Sequence, residues 1–239
     1  MSGHSKWSTI KRKKGAADAK RGAVFTRLSK DITLAAREGG GAIDMNPALR
    51  LAVKKAKTSN MPLANIERAI KKGTGDLPGI KYENFEYEGY GPHSVAILIE
   101  VMTDNKNRTL PEIRSIMTKN GGNLGESGCV NWMFEKKGIF TIKTDSIDED
   151  RLMEILEDSD IEDILFDDHL FEIIVLSDDF KSISNIFDDN QIEYDGEISL
   201  MPQNLVQLNI EEANQVIRLL ELIENHEDVQ KVHTNFQIK

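Results

Sequence analysis

Residues 138–200, GIFTIKTDSIDEDRLMEILEDSDIEDILFDDHLFEIIVLSDDFKSISNIFDDNQIEYDGEISL, hold the outline of a whole small domain. IFTIK (139–143) reads as a strand and an acidic helix is expected near 147–157. Strands follow near 161–166 and 170–176, then a helix near 178–190, and IEYDGEISL (192–200) closes the set as a strand. Strand, helix, strand, strand, helix, strand is the order of the split βαβ, or ferredoxin-like, arrangement.

The chain on either side supplies two half-sets. Upstream, FEYEGYG (85–91) alternates apolar and polar residues and SVAILIEVM (94–102) is a buried-strand run. A helix is expected next, with Thr109 and Glu112 spaced for a capping box and Leu110, Ile113 and Met117 on its inner face. GGNLGESG (121–128) then turns into the apolar run CVNWMF (129–134), expected as a strand. Downstream of Pro202 come a strand LVQLN (205–209), a helix from about Glu211 to Glu224 and a last strand VQKVHTNFQI (229–238). Each half-set needs the other. The expected fold class is therefore α+β and multidomain, with two ferredoxin-like domains: 138–200 is inserted into a discontinuous domain made of 80–137 and 201–239.

Residues 1–79 differ in kind. From Ala16 to Arg37 the apolar residues Ala17, Val24, Leu28, Ile32 and Ala35 recur at helical spacing, while Arg27, Lys30 and Arg37 fall on the opposite face. A Gly39-Gly40-Gly41 break, a cap at Asn46-Pro47 and a third segment from Pro62 to a stop at Gly73 complete a three-helix bundle with a thin core.

Charge divides the chain along the same lines. Residues 1–75 carry 17 lysines and arginines against 5 acids, whereas residues 139–239 carry 6 against 26, within a formal net charge of -10. Segregation of this kind speaks to partners and orientation, since the fold does not require it. The basic stretch GHSKWSTIKRKKGAADAKRG (3–22) also sets an aromatic ring and hydroxyls beside its cations, a mixture suited to phosphate contact and base stacking. The candidate nucleic-acid-binding residues are Lys6, Trp7, Lys11, Arg12, Lys13, Lys14, Lys20, Arg21, Arg27 and Lys30.

Other chemistries find little in the sequence. The five histidines, His4, His93, His169, His226 and His233, show no metal-site spacing, and no phosphate-cradling G-x-x-x-x-G-K-[ST] loop occurs. GNLG (122–125) matches a KH clamp in letters but joins a helix to a strand, and the carboxylates of 145–179 follow one another without a calcium-loop pattern. With a single cysteine, Cys129, no internal disulfide can form, and no apolar run reaches membrane-spanning length. The expectation is a cytoplasmic, monomeric protein that is not an enzyme, with no cofactor, no metal and no membrane partner.

The segments GHSKWSTIKRKKGAADAKRGAVFTRLSKDITLAAREGGG, NIERAIKKGTG, YEGYGP, TDNKNRT, GGNLGESGCVNWMFEKKG and VHTNFQI together resemble the YebC/PmpR family from end to end. The resemblance implies a three-domain architecture of a helical bundle and two α+β domains. It implies regulation of gene expression through a nucleic acid. Bacterial members are commonly labelled DNA-binding transcriptional regulators, and mitochondrial relatives are translational activators of cytochrome c oxidase. Bacterial relatives have also been linked to ribosomes translating difficult sequences such as proline runs. The partner is then rRNA on the ribosome or DNA, and a cationic bundle without evident base-reading residues favours RNA read by shape and backbone. A further alternative is that the acidic domain docks basic ribosomal or transcription proteins.

Overall fold

The computed structural model describes residues 21–75, 82–167 and 169–239. Among them are seven α-helices and ten strands. The bundle comprises α1 (Arg21–Gly39), α2 (Pro47–Thr58) and α3 (Leu63–Gly73). Asn46 fixes the first corner. Its side chain accepts from the Leu49 N–H and donates to the Ala35 and Gly40 carbonyls, so one residue caps α2 and satisfies the end of α1. Leu28 and Ile32 of α1, Leu49 and Val53 of α2 and Ile66 of α3 form the bundle core. At the second close approach, a Cβ on Gly73 would stand 2.4 Å from the Thr33 carbonyl oxygen. Glycine there lets the end of α3 lie against α1.

The first sheet is antiparallel, in the order β3-β1-β2-β9, from β1 (Glu83–Tyr90), β2 (Ala96–Thr103), β3 (Asn123–Leu124) and β9 (Val229–Thr234). Helices α4 (Lys106–Lys119) and α7 (Ile210–Glu224) cover one face, where Ile97, Ile99 and Val101 meet Ile113, Met117 and Leu220. The second sheet, β5-β6-β4-β7, is built from β4 (Phe134–Lys143), β5 (Asp163–Asp167), β6 (Leu170–Leu176) and β7 (Asp195–Pro202). Its helices α5 (Glu149–Leu156) and α6 (Phe180–Asp189) bury Leu152, Ile183 and Phe187 against Phe140, Phe171 and Ile173. No helix among the described residues is long and apolar enough to cross a membrane.

The two sheets share a plan with a permuted chain order. In the second sheet the unit β4-α5-β5 flanks β6, which follows it in sequence; in the first, β2-α4-β3 flanks β1, which precedes it. Both are split βαβ units, but the first sheet is entered one strand early. Two expected strands behave differently from the sequence reading. CVNWMF does not form a strand before residue 134: a single 3-10 turn spans Asn131–Met133, and β4 then runs unbroken from Phe134 through the position expected as a domain boundary. The last strand is broken at Asn235, whose side chain accepts from the Ala96 N–H. Beyond it β10 (Phe236–Ile238) pairs in parallel with β8 (Val206–Leu208) instead of with β2.

The expected cap of α4 also differs. Asn105 caps the helix by accepting from the Arg108 N–H, and Thr109 lies buried inside it. Downstream of β3, the carboxylate of Glu88, buried in β1, accepts from the backbone N–H groups of Gly128, Val130 and Asn131 at 2.6, 2.8 and 2.8 Å. Burial works against ionising this group, but the three donors outweigh it and hold its pKa below the ordinary carboxylate value. They also explain why residues 129–133 do not form a strand: the Val130 and Asn131 N–H groups turn inward onto this carboxylate, while those of Cys129 and Met133 close local turns onto the Glu126 and Val130 carbonyls. Trp132 stands on this loop, 64% exposed.

Glu88→Gln should therefore cost about 2 kcal/mol, because an amide supplies one acceptor oxygen for three donors. In a Trp7→Phe background, urea unfolding followed by Trp132 fluorescence should show the loss. An unchanged midpoint would mean the loop holds its shape without the carboxylate.

Candidate nucleic-acid interface

The sequence assigns nucleic-acid contact to the basic segment and to the polar face of α1. Lys6, Trp7, Lys11, Arg12, Lys13, Lys14 and Lys20 lie outside the described residues, and Arg21 opens α1. Arg27 and Lys30 require a correction. Instead of projecting from the bundle as open cations, both point into the first sheet's domain. Arg27 donates to the Glu224 carbonyl at the end of α7. Lys30 is 4% exposed, and its ammonium donates to the Met102 and Glu227 carbonyls, each at 3.0 Å, and to the Asp228 carboxylate at 2.5 Å. A lysine desolvated to that degree is stable only where fixed acceptors replace water, and here three do so.

Asp228 is the centre of the arrangement. Its second oxygen accepts from the Arg108 guanidinium at 2.8 Å, from the Thr109 hydroxyl at 2.7 Å and from the Thr103 hydroxyl at 3.2 Å. Burial opposes the charge on this carboxylate, yet hydrogen bonds from Lys30, Arg108 and Thr109 hold its pKa well below the usual range. Thr103, Arg108 and Thr109 all come from the TDNKNRT motif, so that segment serves to dock the bundle.

Among the described bundle residues the exposed cations are Arg37 near the end of α1 and Arg50, Lys54, Lys55, Lys57, Arg68 and Lys71 of α2 and α3. Between α1 and α3 lies a cleft of about 340 Å³ that the sequence reading missed. Thr26, Ser29 and Thr33 line one wall, and Asn65, Arg68 and Lys72 the other. Tyr82 closes one end, with the Lys72 ammonium 4.7 Å from its ring centroid and 3.3 Å from its hydroxyl. No acid appears among the described residues of the lining. Both stripes follow three-and-four spacing, the signal by which they could have been found. On the far side of α1 a second cleft, about 620 Å³, is lined instead by Asp31, Glu86 and Glu100 with Lys231. Burial raises the Asp31 carboxyl there against the pull of Lys55, Lys231 and Arg27.

Two family descriptions match the chain: TACO1/YebC protein N-terminal domain over residues 5–76, and TACO1/YebC second and third domain over residues 82–236. A protein named "Probable transcriptional regulatory protein" from Syntrophobacter fumaroxidans is 54% identical over 240 residues, covering 100% of this chain and 96% of its own. One of the same name from Desulfosudis oleivorans is 54% identical over 236 residues, covering 98% of this chain and 96% of its own. Among solved structures, a conserved hypothetical protein from Aquifex aeolicus is similar, with a TM-score of 0.82 at 40% identity over 93% of this chain and 92% of that one.

The Asp228 cluster makes a stability prediction with a definite sign. A carboxylate whose pKa is lowered by folding contributes stability above its unfolded pKa, near 3.9, and that contribution drains away as pH falls below it toward the folded value. Asp228→Asn should cost about 3 kcal/mol at pH 7, since it leaves Lys30 and Arg108 without their buried counter-charge. The gap from the unaltered protein should narrow on acidification below about pH 4, as this carboxyl takes up a proton in the unfolded chain while remaining ionised in the folded one. Denaturant unfolding of both proteins across pH 7 to 3 checks this, and a gap independent of pH would contradict it.

Proposed function

Because the chain belongs to the TACO1/YebC family, whose relatives carry the name of probable transcriptional regulators, we propose that it is a non-enzymatic regulator of gene expression. In this reading it binds nucleic acid through its amino-terminal bundle. The observation that carries the proposal is the separation of charge, 17 cations against 5 acids in residues 1–75 and 6 against 26 in residues 139–239. A polyanion would be drawn to the bundle and held away from the rest, so the protein binds in one orientation.

The nucleic acid we favour is structured RNA, with the ribosome as its natural setting and translation of difficult sequences as the process assisted. The open cations on α2 and α3 are mostly lysines, which act as point charges on phosphates and suit recognition of backbone shape. Arg27 and Lys30 of α1, by contrast, are engaged in docking and are not free to read a groove. The second reading is a DNA-binding transcriptional regulator, favoured by the name its relatives carry.

Replacing Lys11, Arg12, Lys13 and Lys14 by alanine should weaken binding and flatten its salt dependence, by about 0.9 in the logarithmic slope for each duplex phosphate that is no longer neutralised. Titrations at several salt concentrations measure this, and an unchanged slope would remove the basic segment from the interface. Sedimentation of lysate at low and high salt, with and without RNase, separates the two readings. Salt-sensitive co-migration with ribosomes supports the first; recovery on specific DNA with none on ribosomes supports the second.

A further inference from the structure

We propose that the cleft between α1 and α3 is a pocket for one unpaired nucleotide of a nucleic-acid strand, which sets its phosphate on Arg68 and Lys72 and its base between the two helices. The inference rests on the nucleic-acid reading above and adds a specific site to it. Asn65, Arg68 and Lys72 form one stripe on α3, and Thr26, Ser29 and Thr33 face them from α1. Cations, an amide and hydroxyls thus converge on a space of about 340 Å³, roomy enough for a single nucleotide. Phe25 and Tyr82 add flat apolar surface to the same lining.

Charge selects the ligand. Lys30 reaches this lining, but its charge is matched by Asp228, so Arg68 and Lys72 set the sign inside the cleft. Arg68 is exposed, and no acid pairs with it among the described residues. Lys72 is held at the wall by the Tyr82 hydroxyl and ring. In a chain with 40 acids, a cleft with no acid among its described lining residues and with this composition asks for an anion. The Thr33 hydroxyl is already bonded to the Ser29 and Ala69 carbonyls, so the Ser29 hydroxyl and the Asn65 amide are the groups that offer donors and acceptors to a base edge. A paired base is hidden in its helix and cannot enter; an unpaired one can be turned out.

The test uses the full chain and fluorescence anisotropy with a short RNA duplex carrying one bulged nucleotide, the same duplex fully paired, and the same duplex with an abasic bulge. DNA versions and uridine and adenosine monophosphate complete the set. The bulged duplex should bind roughly tenfold more tightly than the paired one, and the abasic bulge should lose that preference. Arg68→Ala with Lys72→Ala should abolish the preference. Lys54→Ala with Lys57→Ala removes equal charge elsewhere on the bundle and should weaken all duplexes alike, leaving the preference intact. Salt-sensitive binding without preference for the bulge would overturn the pocket while leaving the nucleic-acid reading in place. Failure to bind any RNA or DNA would overturn that reading and the pocket with it. Mononucleotides binding the cleft as tightly as the bulged strand would overturn a strand as the source of its ligand.

Discussion

A carboxylate sealed from water can remain ionised only if the protein rebuilds the hydration it has lost, and Asp228 shows how much of this fold is used for that purpose. Its two oxygens receive an ammonium from α1, a guanidinium and a hydroxyl from α4 and a further hydroxyl from the end of β2. Breaking such a cluster by removing one partner leaves a buried charge without compensation, at a cost of several kcal/mol. The bundle therefore cannot rotate on the first sheet without stranding Lys30, Asp228 or both. The orientation of α2 and α3, and of every cation they carry, follows from that constraint.

Helix α1 consequently acts as a partition. It buries Leu28 and Ile32 in the bundle, turns Arg27 and Lys30 into the neighbouring domain and offers a row of hydroxyls to α3. The acid-lined cleft lies on one side of it, and on the other the cleft with no acid among its described lining residues. A helix of mixed polarity thus separates two electrostatic environments at short range, and this sharpens on a local scale the charge division seen along the whole sequence.

Periodicity made much of the architecture legible. The βαββαβ order of the second sheet, the three bundle helices and the Asn46-Pro47 corner depend on near neighbours in the chain, and such neighbours are visible in sequence. What was hidden depended on distant partners. A lysine on the polar face of a helix reads the same whether it meets solvent or an acid, and the acid that claims Lys30 lies 198 positions away. Thr109 and Glu112 fit the letters of a capping box, but Asn105 caps the helix and Thr109 faces Asp228. CVNWMF has the apolarity of a strand, and Glu88, some forty residues earlier, takes the Val130 and Asn131 N–H groups that a strand would need. At the candidate interface, the spacing of Asn65, Arg68 and Lys72 was present but inconspicuous beside the denser charge of residues 3–22, most of which lies outside the described residues.

The second sheet's domain enters and leaves through neighbouring strands. Phe134 at the start of β4 stands opposite Pro202 at the end of β7, and just outside them the Gln203 N–H donates to the Met133 carbonyl at 2.8 Å. The two junctions with the host therefore meet at a single hydrogen-bonded doorway. A segment attached in this way is a cassette: a chain passing directly from 133 to 203 would need almost no span, and the host would keep both halves of its own sheet. Gene-level gain, loss or exchange of the acidic domain is geometrically undemanding, so its surface can diversify while the bundle and its Asp228 anchor stay as they are.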